Sequence, residues 1–132
     1  MKYLLDTNVC IKYLNGQSDK IVRKLSALHP EDVVICSIVR AELYAGAYKS
    51  SSFQKTHKRL RSFIDIFPSL PFDDAASEIY GRIRAGLEKI GKPIGPYDVQ
   101  IASIAIHHKL TLVTHNTKEF SRIKGLKLED WE

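Results

Sequence analysis

The feature that most constrains the fold of this chain is the alternation of short apolar runs with longer helical patterns. Four apolar runs are typical of β-strands: Tyr3 to Leu5, Val33 to Cys36, Leu70 to Phe72 and Leu110 to Thr114. Between them, apolar residues recur at helical spacing: Ile21, Leu25 and Leu28; Ile38, Ala41, Ala45 and Tyr48; Phe53, Leu60, Phe63, Ile64 and Phe67; Ala76, Ile79, Ile83 and Leu87; and Ile101, Ala102, Ala105 and Ile106. Strands separated by helices pair in parallel, with helices on both faces of the sheet. The sequence therefore predicts an α/β fold, a three-layer α/β/α domain with a central parallel sheet.

The length and composition fit one such domain, spanning residues 1–132. A chain of 132 residues can bury one full core, and its hydrophobic fraction of 44% is ordinary for a globular protein. No apolar run approaches the roughly 20 residues of a membrane span, and Asp6 interrupts any secretory leader. Cys10 and Cys36 lack the spacing of a zinc or redox motif, which favours two buried thiols in a reducing compartment. We therefore expect a cytoplasmic protein with no membrane partner.

Charge is distributed unevenly along the chain, whose formal net charge is +5. No acidic residue lies between Glu42 and Asp65, whereas that interval contains five basic residues: Lys49, Lys55, Lys58, Arg59 and Arg61. A stretch of one sign favours contact with a polyanion, such as the phosphate backbone of a nucleic acid. A solvated basic helix without such a partner is an equal alternative on this feature alone.

The first predicted strand ends on three polar residues, in the stretch "MKYLLDTNVCIKYL". Asp6, Thr7 and Asn8 are all suitable helix N-caps, so the stretch is compatible with a simple strand-to-helix junction. The alternative is that Asp6 brings a negative charge to a ligand site, since ligands of parallel α/β sheets bind at the carboxyl ends of the strands. One carboxylate does not distinguish these interpretations.

Three further acids lie where a predicted strand gives way to a helix. Glu42 lies about one turn into the helix after the second strand, Asp98 opens the helix after the "GKPIGPY" turn, and Glu119 follows the last strand. Singly, each has an ordinary explanation: an exposed helix residue, a first-turn acid favoured by the helix dipole, and a loop charge, respectively. Together with Asp6, however, they all approach one edge of the sheet.

These four acids share negative charge with little nearby compensation. No Lys or Arg lies within two residues of Asp6 or Asp98, although Arg40 is close to Glu42. Carboxylates gathered in a partly dry cleft raise each other's pKa unless a cation neutralises them. A hard divalent cation such as Mg²⁺ is the natural partner, because it takes oxygen ligands and is often held by one or two carboxylates. An acid-lined cation site in a basic protein suits phosphodiester chemistry.

The five histidines indicate no alternative catalytic pattern. They form no HExxH motif and no compelling Ser/His/Asp order: His29, His57, His107, His108 and His115. His107 and His108 are expected to close a helix C-terminus, and His115 could touch phosphate from the loop that carries Glu119.

Four segments, in this order, carry a resemblance to a known family. They are "LLDTNVCI", "SIVRAELYAGAYKS", "GKPIGPYDVQIASIA" and "LVTHNTKEFSRIKGLKLEDW", and they extend over essentially the whole chain. On these segments the chain resembles the PIN-domain ribonucleases and, more narrowly, the VapC toxins of bacterial toxin–antitoxin pairs. The resemblance implies a single PIN-like domain.

The resemblance also implies a metal-dependent acidic quartet. Asp6, Glu42 and Asp98 match the first three acids of the family, with Asp6 and Asp98 as the expected direct metal ligands. The fourth position departs from the wider pattern, because Asn116 stands where many PIN domains have Asp. Glu119 is therefore expected to supply the fourth charge, with Asn116 as a neutral oxygen ligand or an organiser of the loop.

The implied reaction is hydrolysis of RNA phosphodiester bonds with Mg²⁺, or with Mn²⁺ as a substitute. Thr7 and Asn8 would position Asp6 or a metal-bound water, and the products would carry a 5′-phosphate and a 3′-hydroxyl. The type of VapC with "GKPIG" and "NTxEF" motifs further implies that the substrate is initiator tRNA, cut in the anticodon stem-loop. The residues expected to hold RNA phosphates are Lys55, Lys58, Arg59 and Arg61.

The resemblance implies protein partners as well. A small VapB-like antitoxin would dock across the cleft and offer an Arg or Lys to the acids. The toxin itself would be a homodimer.

Two other classes of function stay open at the level of sequence. One is a phosphatase or phosphotransfer domain that uses Asp6 as its nucleophile, although Asn8 stands where a haloacid-dehalogenase-like site would need an acid. The other is a catalytically weak PIN-like module that only binds nucleic acid, although the presence of all four acids argues against it.

Overall fold

The computed structural model describes all 132 residues, and it alternates helices with four short parallel strands. The elements in chain order are β1 (Tyr3–Leu5), α1 (Thr7–Leu14), α2 (Asp19–Ser26), a 3₁₀ turn (Pro30–Asp32), β2 (Val33–Val34), α3 (Ser37–Lys49), α4 (Phe53–Ile64), α5 (Asp74–Lys89), α6 (Pro96–His107), β3 (Thr111–Val113), α7 (Thr117–Phe120) and β4 (Lys127–Glu129).

The strands form one sheet in the order β2-β1-β3-β4. Tyr3 pairs with Val33 on one side and with Thr111 on the other, and Thr111 pairs in turn with Lys127. Consecutive strand residues point to opposite faces, and in β1, β2 and β3 two consecutive residues have no exposed surface: Leu4, Leu5, Val33, Val34, Leu112 and Val113. Both faces of the sheet are therefore covered, which confirms the predicted three-layer α/β fold.

The chain reverses its direction of winding between β1 and β3. From β1 it crosses to β2 on one side, then returns past β1 to β3 and continues outward to β4. Adjacent strands whose connections leave in opposite directions open a crevice at their carboxyl ends, where α/β proteins bind ligands. Asp6 directly follows β1, and its amide donates to the Val113 carbonyl of β3 at 3.1 Å. The topology thus places Asp6 in this crevice.

Local sequence explains where α5 and α6 begin and where α5 ends. Asp73 caps α5 by accepting a hydrogen bond at Oδ1 from the Ala76 amide, at 2.9 Å. Pro96 occupies the first turn of α6, where its missing N–H costs nothing. Gly91 follows α5 with a φ of 68°, a left-handed conformation that glycine adopts without strain.

Two details of the strand prediction are wrong. Residues 70–72 form no strand, and Leu70 contributes a single backbone hydrogen bond, accepted from Ser37 at 3.0 Å. Strand β4 was not predicted, because in an edge strand only alternate residues face the core. Its short alternation of Leu126 and Leu128 with charged residues gives a weak signal.

The buried face of α3 also differs from the predicted one. The predicted apolar face was Ile38, Ala41, Ala45 and Tyr48. The residues that α3 buries are Val39, Leu43 and Ala47. Both sets have helical spacing, so periodicity did not distinguish them, and Ala41, Ala45 and Tyr48 form an exposed apolar stripe. The helix begins at Ser37 itself, with Cys36 in the cap position.

None of the helices combines the length and the apolar character that crossing a membrane requires.

Candidate active site

Asp6 lies in the crevice between β1 and β3 and is 7% exposed. Its Oδ1 accepts a hydrogen bond from the Val9 amide at 2.9 Å, so it caps α1. Burial raises the pKa of Asp6, and the charges of Glu132 and Glu42 raise it further, while the Thr114 hydroxyl and the Val9 amide lower it. Asp6 is therefore both the cap of α1 and a carboxylate of the crevice.

Glu42 is held by a neutral donor from the start of α1. The Thr7 hydroxyl donates to Glu42 Oε1 at 2.7 Å. Arg40, which is close to Glu42 in sequence, instead donates at 2.6–3.5 Å to four backbone carbonyls, those of Ile35, Ile64, Phe67 and Pro68. The guanidinium of Arg40 thus joins β2 to the end of α4, and it does not neutralise Glu42.

Asp98 lies half-buried in the first turn of α6. Burial raises its pKa from 3.8 to about 6, and the charges of Glu119, Glu42 and Asp6 add to this effect. The shift has the sign expected for a carboxylate that faces other carboxylates in a partly dry cleft. The structure therefore brings the four predicted acids close enough to repel one another.

Asn116 connects Glu119 to the end of β3. Its Nδ2 donates to Glu119 Oε2 at 3.2 Å, and its backbone N–H donates to Thr114 Oγ1 at 3.0 Å. Of the two roles predicted for Asn116, these contacts favour the organiser of the loop over the neutral oxygen ligand. Asn8, by contrast, is exposed on the first turn of α1.

The chemistry and spacing of the four acids fit a hydrated divalent cation. None of them forms an ion pair with a Lys, Arg or His side chain. No three of these carboxylates bring their oxygens within 4.8 Å of one another. This spacing suits an ion that keeps several waters and directly contacts one or two carboxylates, as Mg²⁺ does. Such an ion would also remove the repulsion that raises the pKa of Asp98.

The C-terminal segment lies beside the cleft, which the sequence did not predict. Glu132 pairs with Lys12 of α1, 120 residues away. His115 Nδ1 lies 3.0 Å from Asp130 Oδ2 and 3.6 Å from Glu132 Oε2, so this ring faces carboxylates. Because the contact between Lys12 and Glu132 is so distant in sequence, no local pattern could have revealed it.

The four basic residues predicted to hold RNA are all exposed on α4: Lys55, Lys58, Arg59 and Arg61. They do not share one side, because Arg59 and Arg61 point about 200° apart around the helix axis. Arg59 lines a groove that also contains Glu42, and it donates to Asn15 Oδ1 at 3.3 Å. Arg61 pairs with Asp65 at 3.2 Å on the other side. Arg59 is therefore the basic residue of α4 that shares a groove with a predicted catalytic acid.

Comparison with known proteins identifies the class of the domain. The family model of the PIN domain matches residues 3–126, a range that includes all four acids. The chain therefore belongs to the PIN-domain family.

Individual relatives identify the branch of that family. The tRNA(fMet)-specific endonuclease VapC of Shigella flexneri is 37% identical over 131 residues, which cover 99% of this chain and 98% of the relative. Ribonuclease VapC2 of Rickettsia felis is 39% identical over 133 residues, covering 100% and 99% of the two chains. A solved structure of DNA-bound VapBC from Salmonella typhimurium superposes with a TM-score of 0.94 at 37% identity, covering 100% of this chain and 99% of the other. The chain is thus a VapC-type PIN domain.

These comparisons confirm the family, the fold and the enzyme class predicted from the sequence. A PIN nuclease domain implies the use of a divalent metal, with which the oxygen-rich cleft agrees.

Proposed function

We propose that this protein is the toxin of a type II toxin–antitoxin pair, a Mg²⁺-dependent endoribonuclease made of one PIN domain over residues 1–132. The observation that carries the proposal is the convergence of four acids in the crevice: Asp6, Glu42, Asp98 and Glu119. The charges of the other three contribute to the raised pKa of Asp98, which is about 6. The endonuclease and ribonuclease names of the relatives support the type of reaction.

Side chains of this protein prepare the cleft before any substrate binds. Thr7 orients Glu42 through its hydroxyl, and Asn116 orients Glu119 through its amide. The Val9 amide and the Thr114 hydroxyl favour the ionised form of Asp6 against the effect of burial. Asp6, Glu42 and Glu119 are therefore each held by a donor of this chain, which is the preorganisation that a charge-stabilising site needs.

We assign Asp6 and Asp98 as the direct ligands of Mg²⁺, with Mn²⁺ as a possible substitute, and Glu42 and Glu119 as the acids that complete the site. A bound divalent ion polarises a phosphoryl oxygen and makes water more acidic. The acids fix where that charge lies, and the cleft contributes no Ser or Cys nucleophile of its own. Attack by water on phosphorus, opposite the 3′-oxygen, would form a new P–O bond and break the bond from phosphorus to that 3′-oxygen, which leaves a 5′-phosphate and a 3′-hydroxyl.

We propose initiator tRNA as the substrate, cut in the anticodon stem-loop. Support comes from the name of the Shigella flexneri relative and from the position of the basic residues. Arg59 shares a groove with Glu42, so a phosphate held there would lie beside the acids. Lys55 and Lys58 extend this charge along α4, whereas Arg61 is paired with Asp65 and contributes less. An activity on tRNA belongs in the cytoplasm.

Cleavage of total tRNA with mapping of new 5′-phosphate ends tests the proposal. Wild-type protein with Mg²⁺ should produce one dominant end in the anticodon arm of initiator tRNA. Excess EDTA should abolish it, and added Mg²⁺ or Mn²⁺ should restore it. Asp98→Asn should stop cleavage, while Asp19→Asn, which changes an exposed first-turn acid of α2, should not.

Three outcomes would contradict parts of the proposal. Full activity in chelator would exclude the metal mechanism. Ends spread over many RNAs would exclude the tRNA assignment but keep the nuclease. Loss of activity in Asp19→Asn equal to that in Asp98→Asn would show that the assay responds to surface charge rather than to the cleft.

We also propose that a VapB-like antitoxin covers the cleft and that the toxin is a homodimer. The solved relative from Salmonella typhimurium is a VapBC complex. In this chain, α3 exposes the apolar stripe of Ala41, Ala45 and Tyr48 next to Glu42, a surface that a protein partner would cover. Co-expression with the neighbouring reading frame should yield a stable complex without nuclease activity. A protein that stays monomeric at high concentration would contradict the homodimer.

A further inference from the structure

A cluster of two histidines and one aspartate lies far from the catalytic cleft. His107 ends α6 and His108 follows it, while Asp73 lies directly before α5. Asp98 is at the opposite end of α6, nine residues earlier, which corresponds to about 14 Å along the helix. The cluster therefore lies at the amino edge of the sheet, where the chain turns from α6 into β3.

The three side chains converge. One ligand atom from each of Asp73, His107 and His108 lies within 4.8 Å of the other two. His107 Nε2 is 3.9 Å from Asp73 Oδ2, and the two imidazole rings are in contact with their centroids 4.5 Å apart. A tetrahedral ion with bonds of about 2.0–2.1 Å places its ligand atoms about 3.3 Å apart, so small side-chain rotations would complete the geometry.

Hydrogen bonding within the protein does not account for this arrangement. Asp73 uses Oδ1 to cap α5, which leaves Oδ2 free to face the histidines. The Nε2 atom of His108 is buried and has no hydrogen-bond partner in the chain. Buried polar atoms are nearly always paired, so the imidazole of His108, which brings one of its nitrogens beside Asp73 and His107, is a side chain that lacks a partner within the protein.

The protein holds these groups in place. The backbone N–H of Lys109 donates to the Ile106 carbonyl at 3.2 Å, and that of Leu110 donates to the Ala105 carbonyl at 2.8 Å. These bonds close the end of α6 and fix the backbone positions from which both imidazoles extend. Burial, followed by the neighbouring His107, lowers the pKa of His108, which favours the neutral imidazole that binds metals.

We propose that Asp73, His107 and His108 form a second metal site, which takes a transition-metal ion of the Zn²⁺ class and ties the start of α5 to the end of α6. Two imidazoles and one carboxylate are a ligand set that suits Zn²⁺ and its neighbours, whereas Mg²⁺ prefers a set made only of oxygens. A water would complete the coordination. The second His/acid cluster, at His115, lies beside the catalytic cleft and already has Lys12 paired with its Glu132.

Titration of the full-length, metal-free protein with Zn²⁺ in a large excess of Mg²⁺ tests the site. Mg²⁺ fills the catalytic carboxylates, so calorimetry should detect one remaining equivalent of tightly bound Zn²⁺. Zn²⁺ should also raise the midpoint of thermal unfolding, because a ligand that binds only the folded state stabilises it. Neither readout depends on RNA cleavage.

Matched variants test whether the tightly bound Zn²⁺ depends on the proposed ligand residues. Asp73→Asn keeps a good N-cap for α5 while removing the carboxylate, so it should fold normally and bind Zn²⁺ at least about tenfold more weakly. His108→Gln should also lose the tight equivalent, with its metal-free unfolding midpoint as the check on folding. His115→Gln and Asp98→Asn should keep it. The proposal is overturned if no Mg²⁺-resistant Zn²⁺ binds, if Asp73→Asn and His108→Gln bind as wild type does, or if His115→Gln is the variant that loses binding.

Discussion

Removing the charge of Asp98 should make the metal-free protein more stable at neutral pH. Its pKa is about 6 in the folded chain, against an ordinary value of 3.8, because burial and three nearby acids disfavour the carboxylate. Since one pKa unit corresponds to about 1.4 kcal/mol, ionised Asp98 would cost up to ~3 kcal/mol of folding free energy. Asp98 is only half-buried, and solvent screening reduces this to roughly 1–1.5 kcal/mol. We therefore expect Asp98→Asn to raise the unfolding midpoint by about 3–6 °C at pH 7.5 in chelator.

The effect should depend on pH in a defined direction. The folded state binds the proton of Asp98 more tightly than the unfolded state does, so wild-type stability falls as pH rises from about 4 to about 6. Below pH 4 the carboxyl is protonated in both states, and the difference between wild type and Asp98→Asn should vanish. Above pH 6.5 the variant Asp98→Asn should exceed the wild type in stability by the full amount. Excess Mg²⁺ should stabilise the wild type and shrink the gap, because binding neutralises the repelling charges.

Thermal unfolding at fixed protein concentration, at pH 4 and at pH 7.5, measures this prediction. Asp19→Asn is the matched control, because Asp19 is an exposed acid in the first turn of α2, just as Asp98 lies in the first turn of α6. The control should lose a few tenths of a kcal/mol through the weaker helix dipole interaction. A variant Asp98→Asn that is less stable than wild type at pH 7.5 in chelator, or equally changed at both pH values, would refute the electrostatic reasoning.

Three further predictions use contacts of single side chains. Thr7→Val should lower the rate of RNA cleavage roughly tenfold or more with little loss of folding, because Glu42 loses the hydroxyl that orients it; equal rates in a single-turnover assay would contradict this. Arg40→Ala should reduce the free energy of unfolding by roughly 2–4 kcal/mol, because several backbone carbonyls lose a charged donor. Urea denaturation measures this change, and a loss below about 1 kcal/mol would argue against the role of Arg40 in joining β2 to the end of α4. Arg59→Gln should weaken RNA binding and lower its salt dependence by about one slope unit, while Arg61→Gln should have little effect; a reversed order would remove the groove from the binding surface.

The positions of Asp6 and Asp98, two of the candidate catalytic acids, could be predicted because each follows a local signal. Asp6 ends a short apolar run, and a polar residue after a buried strand marks the carboxyl edge of a parallel sheet. Asp98 follows a Gly-Pro turn that opens a helix. Asp6 reaches the carboxyl edge of the sheet because it follows β1, and Asp98 reaches the same edge because α6 runs back along the sheet and leads into the start of β3. The structure brings them together in the way that this reasoning expects.

Other features could not be predicted because their cause is not local. Arg40 is close to Glu42 in sequence, but its acceptors are backbone carbonyls, which every residue carries and no sequence pattern marks. The true buried face of α3 competes with a second apolar stripe of the same period, and tertiary packing, which periodicity does not encode, decides between them. The contact of Lys12 with Glu132 requires the assembled sheet, because the segment after β4 has to return to α1.

The two interpretations of Asp6 that the sequence left open are compatible, and their combination explains the geometry of the cleft. The hydrogen bond from the Val9 amide engages only Oδ1, so capping α1 leaves the second carboxylate oxygen of Asp6 available to the crevice. The same bond fixes the rotation of the side chain, and it favours the ionised form that a cation needs. Thr7, the next residue, uses the first turn of α1 to reach Glu42 on α3. A strand that ends on a helix-capping acid thus provides the charge, its orientation and the link to a second acid within two consecutive residues.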